Sequence, residues 1–383
     1  MYFNAILSIT INGNVLTTVV SVKTTQDASK VGARADVVVP LNSYIQYSDP
    51  NTLTTYLTEI RSDMFPQGTG INITANYDGY APINIFTGYI YDFVLGMPLT
   101  IKCLDYIYFF NLGIFGDDQV STTNKAGTKI TNSGTGKNYK SVQFKDLIQQ
   151  LITFTNTQID LQNAKLGTNS AHCVLILPSI DFELVNLTFI NMSCAAILEY
   201  FKKNLGLNIT FYGNQLYVNI ASNTTGSITL NTGRNVLKSE LQTNLATFQQ
   251  IRLKCWFVAP NGTRSWIEVG STDGIQEEIY FYNVTNSGNT YNILSNAALL
   301  QSKQHHFHGE LELLLYPDCA MFWIVNYTDL RYQEKSGQYY ITGIYFELSD
   351  KGFHRKIKLA WLNLPEYTYL QGQTIQTSGV IST

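Results

Sequence analysis

Near its start the chain alternates, with Ile6, Ser8 and Thr10 on one side and Leu7, Ile9 and Ile11 on the other, which is the period of a half-buried strand. Asn12-Gly13 interrupts the run. That pair accepts the positive φ values of a two-residue hairpin turn, so 15–22 is predicted as the returning strand. Similar patterns predict strands at 35–39, 71–75, 86–91 and 99–103. Turn clusters at 48–51 and 64–68 bracket a short segment, 52–61, expected to be helical. Residues 1–115 therefore read as a first all-β domain.

From 116 to 140 the composition turns polar and rich in Gly, Thr, Asn and Lys, as in an exposed loop or linker. The period then changes. Phe144, Leu147, Ile148, Leu151 and Ile152 recur at three and four residues and predict one face of a short helix. A second helix is punctuated at both ends. Ser193 caps it, Ala196, Ile197, Tyr200 and Phe201 form its apolar face, Lys202 and Lys203 meet the negative end of its dipole, and Gly206 stops it. A hairpin of 208–212 and 215–220 around Gly213-Asn214 completes a mixed α+β region, 141–234. The β pattern resumes over 235–365, with strands at 250–258, 264–269, 310–315, 339–345 and 355–361 and a helix at 295–303. Residues 366–383 read as an extended tail. The fold class expected is mainly β with an α+β middle.

Composition sharpens this picture. The 383 residues carry 25 Lys+Arg against 28 Asp+Glu, a net charge of −3, which argues against a basic nucleic-acid binder. Charged residues make up 14%, well below the ~25% of ordinary domains. With aromatics at 13%, the surface is expected to meet other protein. Five cysteines, at 103, 173, 194, 255 and 319, form no CxxC pair and read as reduced packing residues. No apolar stretch approaches the ~20 residues of a membrane span, and the start has no secretory leader, so the chain is expected to be soluble, unexported and without stable membrane insertion.

Candidate chemistry is sparse. His305, His306, Phe307 and His308 precede Glu310, and in a strand His306, His308 and Glu310 share a face that can converge on one metal ion. The bland alternative is a strand edge or interface. His172-Cys173 is adjacent in sequence, which is not the spatial pairing a thiol nucleophile needs. Glu310 with Glu312, or Asp329 with Glu334, are the carboxylate pairs a glycosidase would require, but the acids are scattered as on any surface. His354, Arg355, Lys356 and Lys358 form a basic run; alternation places Arg355 and Ile357 on one face and Lys356 and Lys358 on the other, the pattern of a strand with one wet side. No GxxxxGK[ST] or GxGxxG occurs.

An internal echo links Phe86-Thr87-Gly88-Tyr89-Ile90 and Ile101-Lys102-Cys103 with Ile341-Thr342-Gly343-Ile344-Tyr345 and Ile357-Lys358-Leu359. The order of parts is FTGYIYDF (86–93) with LTIKCLDY (99–106), then a middle ending in TFINMSCAAILEYFKKNLGLNITFYGNQLYVN (188–219), then GQYYITGIYFELSDKGFHRKIKLAW (337–361). This layout resembles the baseplate hub proteins of phage tails, the late-control-D-like family, related to the hub portion of type VI secretion spike proteins. The resemblance covers about residues 1–365.

It implies two tail-tube-like β-barrel domains plus smaller mixed domains, and a homotrimer whose six barrels match a sixfold tail tube to a threefold spike. It further implies a structural, non-enzymatic virion protein at the tail tip or baseplate, assembled in the bacterial host cytoplasm. No cofactor is implied, and genomic DNA is only a transient cargo of its lumen. Type VI spike proteins continue into a long β-helix where this chain stops, so a separate spike or tip protein is expected as partner, beside the tail tube or distal tail protein. In the tail, Gln371, Gln373, Ile375 and Thr377 are candidates for adding a strand to a partner's sheet edge. The competing readings are a tail-associated envelope hydrolase, which needs converged carboxylates in a deep groove, and a carbohydrate-binding β-protein, which needs an exposed aromatic platform.

Overall fold

The computed structural model describes residues 5–40, 43–48, 55–59, 64–116, 121–123, 129–131, 137–176, 181–219, 226–243, 251–259, 261–270, 273–285, 290–303, 307–349, 352–361 and 378–381. The first β segment holds β1 (Ala5–Ile11), β2 (Asn14–Leu16), β3 (Ser21–Asp27), β4 (Ala33–Val39), β5 (Tyr44–Ser48), β6 (Thr55–Glu59), β7 (Gly70–Tyr77), β8 (Ile83–Val94) and β9 (Leu99–Leu104). After α1 (Ile107–Phe110) come β10 (Ser121–Thr123), β11 (Lys129–Thr131), β12 (Lys137–Gln143), α2 (Phe144–Leu166), β13 (Val174–Ile176), β14 (Glu183–Phe189), α3 (Cys194–Leu205), β15 (Asn208–Tyr212) and β16 (Gln215–Asn219). The remainder contains β17 (Ser227–Asn231), β18 (Val236–Ser239), β19 (Gln242–Thr243), β20 (Ile251–Val258), β21 (Arg264–Gly270), β22 (Ile275–Tyr282), α4 (Thr290–Lys303), β23 (Phe307–Leu313), β24 (Ile324–Thr328), β25 (Gly337–Ser349), β26 (Gly352–Trp361) and β27 (Ser378–Ile381).

The protein is mainly β, and one large sheet runs through both ends of the chain in the order β18-β23-β26-β25-β3-β4-β9-β8-β7-β1-β2-β5-β6, with β24 also on β25 and β17 on β24. Two lobes meet in it at a single seam. Strand β25 is long enough to serve both: Gly337–Tyr340 pairs with β24, Gly343–Leu348 pairs with β3, and β26 follows the other edge from Tyr339 to Ser349 with one irregularity at Thr342. Among the described residues no ladder closes either lobe into a barrel.

Alternation builds the first lobe, whereas β25 of the second buries Tyr339, Tyr340 and Ile341 in succession. In β7, Ile71, Ile73, Ala75 and Tyr77 point inward, and in β4 Ala35, Val37 and Val39 do. The first core gathers Ile9, Ile73 and Ile101 with their neighbours, and the second gathers Leu230, Leu311, Val325, Tyr339 and Ile357. Leu315 and Phe346, from the second lobe's sequence, are buried in the first core. At about 1.5–3 kcal/mol per buried large apolar side chain, the two lock the seam as firmly as several net backbone hydrogen bonds. A third core joins α1, α2 and α3 to β14–β16 and also takes in Leu253, Cys255, Phe257 and Leu299 of β20 and α4.

The predicted hairpin turn at Asn12-Gly13 is present with φ of 49° and 80°. Its return strand is only Asn14–Leu16; the later part of 15–22 belongs to β3, which leaves β1 to form the seam. The segment expected to be helical, 52–61, is instead strand over Thr55–Glu59, paired with β5, in keeping with the β preference of Thr55, Tyr56 and Thr58. Helix α2 continues past Ile152 to Leu166, burying Thr155 and Ile159, and ends on Gly167 in the left-handed region at φ 64°. Helix α3 has the predicted cap, the Ala196 N–H donating to Ser193 Oγ at 3.2 Å, with Gly206 at φ 65° closing it. Its buried face is turned slightly from the predicted one, onto Ile197, Leu198, Phe201 and Leu205.

Two buried ionisable side chains organise the junctions. Arg355, 3% exposed on the inner face of β26, donates to the carbonyls of Leu315 and Pro317, the latter at 2.7 Å, and to Cys319 Sγ at 2.8 Å. It thereby fixes the loop that carries Leu315 into the first core. Asp105 accepts from the Ala33 N–H at 2.7 Å and the Ile107 N–H at 3.0 Å. This ties the start of β4 to the turn of α1, whose four residues are all buried. Tyr89 packs on Phe109 at 4.4 Å and Phe110 on Phe211 at 5.2 Å, so α1 is an aromatic plug between the first lobe and the mixed layer.

Removing the Arg355 guanidinium strands buried carbonyls, so Arg355→Leu is expected to cost on the order of 3 kcal/mol in denaturant unfolding, whereas Lys356→Ala on the wet face costs under about 0.5 kcal/mol. Equal effects would contradict the clamp. Burial pushes the Asp105 carboxyl up to about 7 against the two N–H bonds that lower it. Its folded value lies above the unfolded one of about 3.9, so its contribution to stability falls as pH rises from about 4 to 7. The stability gap between the wild type and Asp105→Asn should accordingly shrink across that window; a constant gap would refute this account.

Candidate assembly surfaces

The outer face of β23 carries His308, Glu310 and Glu312, while Phe307, Leu311 and Leu313 point to the core. Strand β26 lies beside it in the register Glu310↔Lys358 and Glu312↔Lys356. Alternation on β26 is as predicted, with Arg355, Ile357 and Leu359 buried and Lys356 and Lys358 on the wet face. The acids and bases of the two strands answer each other: Lys356 Nζ lies 3.7 Å from Glu310, His354 Nδ1 is 2.8 Å from Glu312, and Lys358 Nζ is 3.8 Å from Asp27 at the seam. Of the proposed metal ligands, His308 is exposed and opposite Gln242 and Ala360, and Glu310 faces a lysine. His305 and His306 lie outside the described residues. Among those described, no group of three or more His, Cys, Asp or Glu is placed to hold a metal ion.

The other chemical candidates are held in structural roles. His172 Nε2 is 2.8 Å from Asp160, and burial pushes the neighbouring Cys173 thiol up to about 12, opposite to what a thiolate nucleophile requires. Asp329 is buried; burial raises its carboxyl, but N–H donors from Tyr332 and Arg331, both at 2.9 Å, and the Tyr327 hydroxyl at 3.0 Å outweigh this and hold it low. It is the staple of the turn before β25. On β20 and β21, Trp256 and Trp266 lie beside each other, but the Lys254 ammonium sits over both rings at 4.5 and 4.7 Å and Trp256 is buried.

Two surfaces stand out as places where further protein can add. The tip of the β8–β9 hairpin presents Leu95 and Met97 at 73% and 81% exposure, beside Val94 and near Val20 at the same end of the sheet. The second is the edge of a four-stranded sheet ordered β22-β20-β21-β27. There the chain's own end, Ser378–Ile381, pairs antiparallel with Arg264–Ile267 of β21. The tail residues singled out for docking, Gln371, Gln373, Ile375 and Thr377, lie outside the described residues, just before this strand.

The sequence reading missed the seam, because β3 carries Lys23, Thr24, Thr25 and Gln26 and looks like a solvent-facing strand; both of its edges are paired all the same. It also missed β22, whose Gln-Glu-Glu run hides a parallel partner of β20. The internal echo corresponds to two long hairpins, β8–β9 and β25–β26, each with a one-residue irregularity in its first strand. Those irregularities fall at Tyr91 and Thr342, three residues after Gly88 and one before Gly343, so the copies are alike in form and not residue for residue.

Comparison with known proteins gives no matching family model and no matching curated protein. Solved structures do match. A tail protein from Neisseria meningitidis superposes with a TM-score of 0.56 at 11% identity, covering 94% of this chain and 96% of that one. The 43 kDa tail protein of prophage MuSo2 from Shewanella oneidensis matches at TM-score 0.53 and 14% identity, over 93% and 98% of the two chains. A type VI secretion component of E. coli, c3393, itself similar to the T4 bacteriophage tail proteins gp27 and gp5, matches at TM-score 0.51 and 8% identity over 93% and 77%. The chain thus has the fold of phage tail proteins and of a type VI secretion component, as the resemblance of its sequence to the hub family implied.

Proposed function

We propose that the chain is a structural virion protein, the trimeric hub of a phage tail or baseplate. It joins a sixfold tail tube to a threefold spike or tip and forms part of the DNA-ejection channel. The observation that carries this reading is the continuous sheet: two β lobes, at opposite ends of the sequence, are fused edge to edge through β3 and β25 into one body. A body with two such lobes offers two tube-like surfaces per subunit, and three copies offer six. On this reading the lobes correspond to the two tail-tube-like barrels expected for 1–115 and 235–365, with 141–234 as the mixed region and 116–140 as linker, except that β17 joins the second lobe and β20 and α4 pack in the mixed region's core. The protein resides at the tail tip after assembly in the bacterial host cytoplasm. The similarity over nearly the whole length to tail proteins supports the same assignment.

Partners follow from the geometry of a hub: two further copies, the tail tube or distal tail protein on one side, and a separate tip on the other. DNA passes through the lumen as cargo. The role is mechanical and needs no catalytic group.

Light scattering with negative-stain imaging of the same peak tests the assembly. A ring of three 43.1 kDa chains with a central hole is expected, and a compact monomer at every concentration up to that of the assembling tail would overturn the trimer. Deleting residues 366–383, which also removes β27 from the edge of its sheet, should leave a folded protein that no longer binds its tip. Unchanged tip binding by that truncation removes the tail from the docking surface.

A further inference from the structure

A cleft of about 620 Å³ opens where three parts of the fold converge: the loop between β3 and β4, the last turn of α3 with Leu207 and Asn208 beyond it, and the inner end of β25 with Phe322. Lys30, Arg34, Lys202 and Lys203 line it against a single lining carboxylate, Glu199. This is a local excess of positive charge on a chain whose net charge is −3. Lys202 and Lys203 have a local explanation, since cations favour the negative end of α3, and Glu199 lies four residues before Lys203. That explanation does not reach Lys30, in the β3–β4 loop, or Arg34, at the start of β4, both exposed without an ion pair among the described residues.

Two further observations point to a ligand. Tyr340 is only 4% exposed, lines the same cleft, and its hydroxyl has no hydrogen-bond partner among the described residues. Lys202 is half-buried, with its ammonium donating to the Ile209 carbonyl at 3.2 Å. Burial pushes it down to about 8, while Asp27 and Glu199 act in the other direction. Asp27 does not line the cleft, and its carboxylate is also engaged by the Tyr345 hydroxyl and Lys358.

We propose that this cleft is an anion site that takes a phosphate-bearing ligand of up to nucleotide size, with Lys30, Arg34 and Lys203 as its charge partners and the Tyr340 hydroxyl as a donor. A single carboxylate would leave most of the converging charge unanswered, whereas a compact polyphosphate answers it, and a guanidinium fork suits phosphate oxygens. The apolar wall of Leu207 and Phe322 leaves room for an uncharged portion. The cations are gathered in one recess and not spread along a track, which fits a terminal or free phosphate group and not the continuous backbone of a nucleic acid. The phosphate has two possible sources, a free nucleotide or the end of a DNA strand. The inference stands on the cleft itself and does not depend on the oligomeric state.

The test is calorimetric titration of the full chain with pyrophosphate, dAMP, and a short single-stranded oligonucleotide carrying either a 5′-phosphate or a 5′-hydroxyl. Saturable pyrophosphate binding at one site per chain is expected, weakened about tenfold in Lys30→Ala/Arg34→Ala, a loss of about 1.4 kcal/mol. Binding should weaken several-fold in Tyr340→Phe and be unchanged in Lys165→Ala, with circular dichroism confirming that each variant is folded. Preference for dAMP assigns a free nucleotide, and preference for the 5′-phosphorylated oligonucleotide assigns a strand end. Absence of saturable binding, full binding by the double variant, or equal binding of both oligonucleotides without competition from pyrophosphate would overturn the site.

Discussion

The architecture depends on the antiparallel pairing of β3 with β25. Six residue pairs, Val22↔Leu348 to Asp27↔Gly343, join strands more than 300 positions apart in the chain, and everything on either side is held in register by them. Backbone pairing alone would give about 1 kcal/mol net per bond, which is little to hold two lobes. The seam is reinforced by what crosses it. Leu315 and Phe346 are buried in the first lobe's core, the Leu315 N–H donates to the Tyr77 hydroxyl at 3.0 Å, and the Ala28 N–H donates to the Thr342 carbonyl at 2.7 Å. Arg355 makes this possible by holding the carbonyls of the loop that delivers Leu315, so a charge buried in the second lobe stabilises an apolar contact in the first.

The mixed layer closes the arrangement from one side. Asp105 and the buried residues of α1 attach it to the first lobe, Gln26 Nε2 donates to Thr210 Oγ1 at 3.0 Å from the seam strand itself, and the Tyr212 hydroxyl donates to the Met321 carbonyl of the second lobe. Strand β15 therefore touches both lobes near their junction. The basic cleft lies at this same meeting point, where no single element's packing accounts for the charges gathered there.

Much of this was legible from periodicity. Strands β4, β7, β9 and β26 were readable because one face of each is apolar and the other wet, and α3 because Ser193, Lys202, Lys203 and Gly206 mark its ends. What escaped were elements whose partners, and not their own residues, decide their state. Strand β3 is polar in its middle, yet it is the seam; β22 is acidic, yet it pairs in parallel with the apolar β20; and Thr55–Glu59 becomes a strand because β5 offers it an edge. Helix α2 runs well beyond its predicted end because Thr155 and Ile159 find a buried surface that no local pattern announces. The same limit applies to the candidate chemistry. Lys356 and Lys358 were correctly placed on a wet face, but the acids that answer them, Glu310 on β23 and Asp27 on β3, are brought near only by strand pairings that no turn or motif announces.

A joint with these properties behaves as a weld and not as a hinge. Rotating one lobe against the other would break the ladder, expose Leu315 and Phe346, and break the bond from the Leu315 N–H to the Tyr77 hydroxyl at once. Those losses are coupled, because the same loop carries Leu315 and accepts from Arg355. Motion by small increments therefore gains nothing until the whole junction opens. In the proposed hub, this makes the angle between the two lobes a fixed property of each subunit. A mismatch between sixfold and threefold neighbours then has to be absorbed by the contacts between subunits and by the exposed β8–β9 hairpin tip and the C-terminal strand, the parts of the chain that lie outside the weld.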